Sequence, residues 1–336
     1  MDVINFDRAL AETGSSGRHI LLGNGFSIAC KPDIFRYAAL FENADFASMS
    51  PFLESSFAAL GTRNFEEVID ALRKASRLAS VYSSDTSLTD RMMADSESLR
   101  DILASTIAKS HPEMPSEIQD EQYAATKRFL ANFKSIYTLN YDLLLYWTIM
   151  HEVEGLEFRA DDGFRTPDEG ETDYVTWEVE NTDNQNIHYL HGALHIFDAH
   201  PTVQKYTWNH TGVRLITQVR QAMDRGLYPI IVSEGTSDQK IEVINHSNYL
   251  SRSYRSFARI GNSLFVFGHS LADNDDHILH LIPKGKIKAL YIGLFGDPEG
   301  EDNLRMRRKA ERLAISRKGK VPLALRYFDA GTVSIW

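Results

Sequence analysis

The sequence contains very little cysteine and no long apolar run. Cys30 is the single cysteine among 336 residues, which excludes a disulfide framework and a zinc site made of four thiolates. No apolar stretch reaches the roughly 20 residues that a membrane-spanning helix needs. Residues 1–7 lack the basic segment and apolar core of a signal peptide. These absences predict a chain that works in the reducing cytoplasm and does not enter a membrane.

Positive charge is also scarce, with 36 Lys and Arg residues against 46 Asp and Glu residues and a formal net charge of -10. A surface of this sign argues against binding to duplex nucleic acid through phosphate contacts. The basic stretch at 305–312 is more typical of a solvated helix face. The sequence has neither the Gly-Lys-Ser/Thr of a phosphate-binding loop nor the Gly-x-Ser-x-Gly of a nucleophile elbow. Nucleic acid is therefore not an expected partner, and a P-loop NTPase or an elbow-type serine hydrolase is not an expected activity.

Apolar residues make up 43% of the sequence, which is enough for a large core. They form runs that alternate with stretches of helical periodicity, as in a Rossmann-like α/β fold with a mostly parallel sheet and helices on both faces. An exposed hairpin or loop is predicted for 155–180, and long helices for 211–225 and 239–258. Strands are predicted at 19–22, 135–139, 187–197, 228–232, 263–267, 287–294 and 322–328.

The stretch 43–132 differs from the rest because its apolar residues recur at helical spacing, as at Phe65, Val68, Ile69 and Leu72. No strand pattern interrupts it. It predicts a helical insertion after the first strand–helix unit, which either covers a face of the sheet or caps a cleft. The expected organisation is a Rossmann-like core of 1–42 and 133–336 with a helical cap of 43–132.

Four predicted strands end in short polar or glycine-containing motifs. In open parallel sheets, ligands bind beyond the carboxyl ends of the strands. Glycine lets the backbone approach a ligand closely, and a helix N-terminus suits a diphosphate. Asn, Asp and Ser also cap helices, but four such motifs at one sheet edge favour a binding site. The motifs are Gly23-Asn24-Gly25, Asn140-Tyr141-Asp142, Ser233-Glu234-Gly235 and Gly268-His269-Ser270.

A metal site is the first alternative. His188, His191 and His195 lie in one predicted strand, where His188 points away from the face that the other two share. The acids at 273–276 precede His277, but the glycine and closing glutamate of a calcium loop are missing. These acids are interpreted as solvated residues at a helix start, and no metal is expected.

Four motifs follow one another along the chain: Gly23-Asn24-Gly25-Phe26-Ser27, Thr138-Leu139-Asn140-Tyr141-Asp142, Leu190-His191-Gly192 and Gly268-His269-Ser270-Leu271. Their order is the one seen in sirtuins. They resemble still more closely the sirtuin-like domains of bacterial antiphage defence proteins, which hydrolyse NAD. The resemblance covers about 18–42 and 133–330 and leaves out the helical insertion. A sirtuin deacetylase carries a zinc ribbon of four cysteines, which a single cysteine excludes, so the zinc-free NAD hydrolases are favoured.

The resemblance implies three catalytic residues. Asn140 would orient the nicotinamide ribose or the attacking water, Asp142 would contact the carboxamide, and His191 would act as general base. Each also has a purely structural interpretation, as a helix cap, a partner of the helix dipole and a buried hydrogen-bonded histidine. The roles of Glu234 and His269 stay open. The residues implied for NAD itself are Gly23, Asn24, Gly25, Phe26 and Ser27 at the diphosphate and Gly268, Ser270 and Asn274 at the adenosine half.

The activity implied by the resemblance is that of an NAD glycohydrolase that releases nicotinamide and ADP-ribose, acting as an antiphage effector. The alternative is a catalytically silent module that binds NAD or an ADP-ribose-like nucleotide as a signal. A homo-oligomer or an activating protein partner fits both. Asn140 and His191 distinguish them, because a sensor does not need both groups at the ribose.

Overall fold

The predicted α/β architecture is confirmed in the computed structural model, which describes residues 2–14, 17–46, 50–167, 172–199, 202–207, 213–233, 237–318 and 321–336. A seven-stranded parallel sheet forms the centre of the fold, and the other five described strands form a second, antiparallel sheet. The described strands are β1 (Val3–Ile4), β2 (Arg18–Leu22), β3 (Ser135–Thr138), β4 (Phe164–Arg165), β5 (Tyr174–Trp177), β6 (Ile187–Tyr189), β7 (Gly192–Asp198), β8 (Val203–Tyr206), β9 (Pro229–Ile231), β10 (Gly261–Phe267), β11 (Lys286–Leu294) and β12 (Ala324–Asp329).

The parallel sheet has the order β1-β12-β11-β10-β2-β3-β6. Without the short edge strand β1, this is the 3-2-1-4-5-6 order of doubly wound nucleotide-binding folds. The order reverses between β2 and β10, where such folds place their ligands. The sequence-predicted Rossmann-like arrangement therefore extends to the strand order.

Helices cover the sheet and fill the stretch between β2 and β3. Among the described residues, no helix is both long enough and apolar enough to cross a membrane. The helices are α1 (Phe6–Thr13), α2 (Gly25–Cys30), α3 (Pro32–Phe35), α4 (Tyr37–Asn43), α5 (Phe52–Leu60), α6 (Phe65–Tyr82), α7 (Ser87–Ser110), α8 (Asp120–Leu130), α9 (Leu144–Met150), α10 (Leu215–Asp224), α11 (Ser237–His246), α12 (Asn248–Arg259), α13 (Asp276–Leu279), α14 (Leu281–Lys284) and α15 (Glu301–Ile315).

The helical character of 43–132 is confirmed, since its described residues contain α5 to α8 and no strand. The helix α6 begins at Phe65 because the side chain of Asn64 accepts a hydrogen bond from the Glu66 amide. Phe65 and Ile69 on this helix belong to the same hydrophobic cluster as Ile20 of the central strand β2. The insertion therefore packs into the core of the sheet layer, which places Glu66 close to the carboxyl edge of the sheet.

The single strand predicted at 187–197 is wrong, because the chain turns sharply at Gly192. This residue has φ +77°, and a Cβ there would lie 2.0 Å from the Ile230 carbonyl oxygen. The strand β6 therefore ends in the parallel sheet, whereas β7 starts the second sheet and pairs antiparallel with β9. The prediction that 228–232 lies in the parallel sheet is also wrong, because β9 pairs with β7 in the second sheet.

Two further predictions need correction. The helix predicted at 239–258 is two helices, because the Ser247 side chain accepts a hydrogen bond from the Leu250 amide and starts α12. The hairpin predicted within 155–180 is confirmed, with β4 and β5 antiparallel. It is not fully exposed, since Phe164 and Trp177 are buried.

The glycines at the point where the strand order reverses pack directly on one another. The amide of Gly23 donates to the Phe267 carbonyl at 2.9 Å, and the amide of Gly25 donates to the Gly268 carbonyl at 2.7 Å. A Cβ at Gly25 would lie 2.5 Å from the Gly268 Cα. Glycine is thus required here for the close contact between two strand-end turns.

This contact predicts a large cost for Gly25→Ala. The added methyl group would overlap backbone that cannot move aside easily, so we expect the free energy of unfolding to fall by about 2–3 kcal/mol. Urea denaturation followed by circular dichroism measures it. Gly261→Ala is the matched control, because the nearest atom to its Cβ would be 3.5 Å away and little change is expected. Equal stabilities of the two variants would contradict the packing role.

Candidate functional site

The carboxyl ends of the neighbouring strands β10, β2, β3 and β6 collect polar side chains from distant parts of the chain. Two buried hydrogen-bond networks form there. We call the first the serine network, consisting of Ser27, Asn140 and Asp142. We call the second the histidine network, consisting of Glu66, His191, Lys240, His269, Asp275 and His277.

In the serine network, three of the sequence-predicted site residues meet. The Asn140 Nδ2 donates to the Ser27 Oγ at 2.8 Å, and this hydroxyl donates to the Asp142 Oδ2 at 2.5 Å. The other oxygen of Asp142 accepts the Leu144 amide at the start of α9, at 2.9 Å. Burial raises the pKa of Asp142, while the bonds from Ser27 and Leu144 act in the opposite direction. The network fixes the direction in which the Asn140 amide points.

These contacts change the roles that the sequence implies for Ser27 and Asp142. Ser27 has no exposed surface, and its hydroxyl contacts protein groups and not a ligand site. Asp142 precedes α9, and its carboxylate accepts the amide of Leu144, the first residue of that helix. Asn140 does not cap α9, because the N-terminal cap position of that helix is Leu143; its Nδ2 donates to Ser27 instead. Of the three, Asn140 is the one whose side chain the other two orient.

The residues predicted to hold a diphosphate are mostly engaged with the protein. The amides of Gly23 and Gly25 donate to backbone carbonyls, as described above, so their predicted role as diphosphate donors is corrected. The Asn24 side chain donates to the Phe35 carbonyl at 2.9 Å. Phe26 is a core residue whose ring packs on Trp336 with a centroid distance of 5.0 Å. The first turn thus serves packing more than ligand contact.

The residues predicted at the adenosine half differ from one another in exposure and in their contacts. Ser270 is exposed, whereas Asn274 is half-buried and its Nδ2 donates to the Glu66 Oε2 at 2.9 Å. Gly268 is half-buried and forms the contact with Gly25. The Asn274 amide is therefore engaged by the protein, and Ser270 is the exposed one of the three.

His191 follows β6 and is almost completely buried, with 1% of its surface exposed. Its Nε2 lies 2.9 Å from the Nε2 of His277, and the two rings are nearly parallel with centroids 5.1 Å apart. The same nitrogen of His191 lies 3.9 Å from the Asp275 Oδ1. The Tyr141 ring is also stacked with His191, at 6.4 Å. His191 is thus paired with a second histidine from α13.

Asp275 is the acceptor at the centre of the histidine network. Its Oδ2 accepts His269 Nε2 at 2.9 Å, and its Oδ1 accepts the Lys240 ammonium at 3.0 Å. The Leu271 amide donates to Nδ1 of His269, so the proton of a neutral His269 ring is on Nε2. Although burial alone would raise the pKa of Asp275, Lys240 and the bond from His269 hold it well below its usual range.

Glu66 joins the helical insertion to this network. The Lys240 ammonium, which has no exposed surface, donates to the Glu66 Oε2 at 2.8 Å. The Tyr141 hydroxyl donates to the other oxygen of Glu66 at 2.9 Å. Burial alone would lower the pKa of Lys240, but Asp275 and Glu66 raise it above its usual value. The insertion therefore contributes directly to the candidate site.

The histidine network pairs two carboxylates with one ammonium group. Glu66 and Asp275 are carboxylates, and Lys240 is the cation that contacts both. Burial lowers the pKa of His191 well below its usual value and that of His277 to about 3, so both rings are neutral near pH 7. Asp275 raises the pKa of both imidazoles and Lys240 lowers it, and at His191 the effect of Lys240 is the larger of the two.

Ring nitrogens and a carboxylate oxygen of His191, Asp275 and His277 lie within 4.8 Å of one another and could reach a metal ion. Histidine and carboxylate are common zinc ligands. However, the Lys240 ammonium already contacts the Asp275 Oδ1 at 3.0 Å and would repel a divalent cation there. The interpretation of Asp275 as a solvated acid is wrong, because it is buried and bonded to Lys240. The neighbouring Asp273 and Asp276 form ion pairs with Lys309, each at 2.5 Å.

The residues that carry the charge of the site were not predicted from the sequence. Glu66 lies in the helical insertion and Lys240 in α11, and neither belongs to a motif. His277 was noticed only as a neighbour of acidic residues. Ser233 is buried, and its hydroxyl has no hydrogen-bond partner among the described residues, whereas Glu234 lies outside them. A spacing signal could not have found this network, because its members come from separate elements.

The fold and these networks define a Rossmann-like α/β protein with a buried polar site at the carboxyl edge of its parallel sheet. The chain belongs to the DUF4917 family, described as a domain of unknown function, whose family model matches residues 20–336. This match includes every residue of both networks. No curated protein matches the chain.

The buried charges predict that Lys240→Met is strongly destabilising. Removing the ammonium leaves Glu66 and Asp275 without their cation, so the free energy of unfolding should fall by about 3–5 kcal/mol. Lys74→Met is the control, because Lys74 forms an exposed ion pair with Asp70 and should change stability by less than about 1 kcal/mol. Urea denaturation of both variants measures the difference. A small and equal effect would show that the network does not hold the site together.

Proposed function

We propose that this protein is an NAD glycohydrolase that gives nicotinamide and ADP-ribose. The observation that supports this most is the register of β3 and β6, in which Thr138 lies opposite Tyr189. Asn140 and His191 each follow these paired residues by two positions. The amide and imidazole that the sirtuin-like motifs assign to the ribose therefore leave the sheet on neighbouring strands.

The chemistry requires little acid catalysis. Nicotinamide leaves NAD as a neutral base, and its departure builds oxocarbenium character on the ribose, as in glycoside hydrolysis. The carbon–nitrogen bond breaks, water adds to the ribose carbon, and one proton is released. His191 is neutral, the form in which an imidazole can take up that proton. Asn140 orients the ribose or the water, and Ser27 and Asp142 position Asn140.

Access is the physical constraint on this proposal. His191 is 1% exposed and Asn140 is 9% exposed, so NAD reaches them only if surrounding contacts open. We therefore propose a closed resting state that a protein partner or a second copy of the chain opens. In this proposal the chain acts in the cytoplasm, and depletion of NAD there is its antiphage effect.

The closed site also supports a second candidate function. Ser27 and Asp142 are satisfied by protein partners, and the glycine amides are engaged. A module that binds NAD or an ADP-ribose-like nucleotide as a signal could keep this arrangement without turnover. Tight NAD binding with no release of nicotinamide under activating conditions favours this sensor.

The hydrolase proposal predicts that Asn140→Ala and His191→Ala lose turnover while the fold survives. Loss of an orienting amide or a general base should lower the rate by about 100-fold or more. The assay is nicotinamide release by the purified chain and the NAD content of cells that express it, because a closed chain can be silent alone. Circular dichroism checks folding.

His188→Gln is the matched control for these variants. His188 is buried in β6, the strand that His191 follows, but it contacts Ser253 and Ser256 and not the histidine network. We expect it to keep NAD hydrolysis. Normal hydrolysis by both Asn140→Ala and His191→Ala would show that the assigned roles are wrong.

A further inference from the structure

We propose that His277 is a positioning residue for His191: it accepts a hydrogen bond from Nε2–H of His191 and so leaves Nδ1 of His191 as the basic atom. The catalytic meaning of this inference rests on the proposed function. The hydrogen bond and the position of the proton are properties of the chain alone.

The rings of His191 and His277 are in direct contact. Their Nε2 atoms are 2.9 Å apart, and both rings are buried and neutral. A neutral imidazole has one nitrogen that donates and one that accepts. Two facing nitrogens at this distance therefore share one proton, and the tautomer of one ring determines the tautomer of the other.

The position of Asp275 identifies the donor. Its Oδ1 lies 3.9 Å from the Nε2 of His191, and a carboxylate favours a proton on the nitrogen that it faces. His277 also faces this nitrogen with its own Nε2, while its Nδ1 is buried and has no hydrogen-bond partner among the described residues. The Nε2 of His277 is therefore the acceptor, and His191 supplies the shared proton.

His277 is held in place by burial and by a backbone contact. It is 4% exposed, and the Tyr254 hydroxyl of α12 donates to its backbone carbonyl at 3.1 Å. When His191 takes a proton on Nδ1, its Nε2–H stays bonded to His277. The Asp275 carboxylate, 3.9 Å away, then stabilises the imidazolium. The charged and titratable groups around His191 are Tyr141, Lys240, His269, Asp275 and His277.

The tautomer can be read without any enzyme assay. We expect long-range ¹H–¹⁵N spectra of the full chain with ¹⁵N-labelled histidine to show His191 protonated at Nε2 and bare at Nδ1, with His191→Gln giving the assignment. In His277→Leu the acceptor is gone, and we expect the His191 nitrogen shifts to move toward an average of both tautomers. A wild-type His191 protonated at Nδ1 would overturn the inference. A shift of the ring nitrogen signals of both histidines on adding EDTA, or the binding of one zinc ion per chain, would also overturn it, because a metal ion would then hold the two rings.

The activity test separates this inference from the proposed function. We expect His277→Leu to lower kcat for NAD by about 10-fold or more, with KM changed by less than about 3-fold. His277→Gln, whose amide oxygen can accept the same bond, should restore part of kcat. His280→Leu is the control, since that side chain is 54% exposed. Equal kcat values for His277→Leu and the wild type overturn the positioning role. If the activated wild type does not hydrolyse NAD, the proposed function fails, and the ¹⁵N spectra still decide the proton position.

Discussion

The ion cluster of Lys240, Glu66 and Asp275 is the interaction on which the candidate site depends. An ammonium with no exposed surface is stable only where carboxylates replace its lost water, and here they lie at 2.8 Å and 3.0 Å. The three residues come from the helical insertion, from α11 and from the turn after β10. Their mutual attraction thus fixes three separate segments against the carboxyl edge of the sheet.

The cluster also determines the electrostatic state of the imidazoles. Burial keeps His191 and His277 neutral, while the Asp275 carboxylate beside them acts in the opposite direction and raises the pKa of both rings. At His191 the Lys240 ammonium lowers the pKa more than the Asp275 carboxylate raises it. Glu66 holds this ammonium in place, so the helical insertion contributes a charged group to the candidate site and is not a cover alone.

The glycine turn shows how far a motif can be interpreted from sequence. Gly23-Asn24-Gly25 was correctly located between the first core strand and a helix, at the point where the strand order reverses. Its predicted contact with a diphosphate cannot use the amides of Gly23 and Gly25, because these donate to the carbonyls of Phe267 and Gly268 at the end of β10. Glycine is favoured equally by a close ligand and by a close backbone, so the residue type cannot distinguish them.

The second sheet could not be foreseen from apolar runs. A short buried strand looks the same whether its neighbour is parallel or antiparallel, since pairing joins residues far apart in the chain. The turn at Gly192 decides which sheet receives each half of 187–197. For the same reason His191 leaves the parallel sheet beside Asn140, while His195 continues into the other.

The sequence by itself determined the elements of this protein: the apolar runs of the parallel sheet, the helices of 43–132 and the polar residues at the strand ends. These follow from local periodicity and backbone preference, which act over a few residues. Only the tertiary structure decided which side chains meet, because the attraction between Lys240, Glu66 and Asp275, and the hydrogen bond between His191 and His277, exist only after packing removes water from groups distant in the chain.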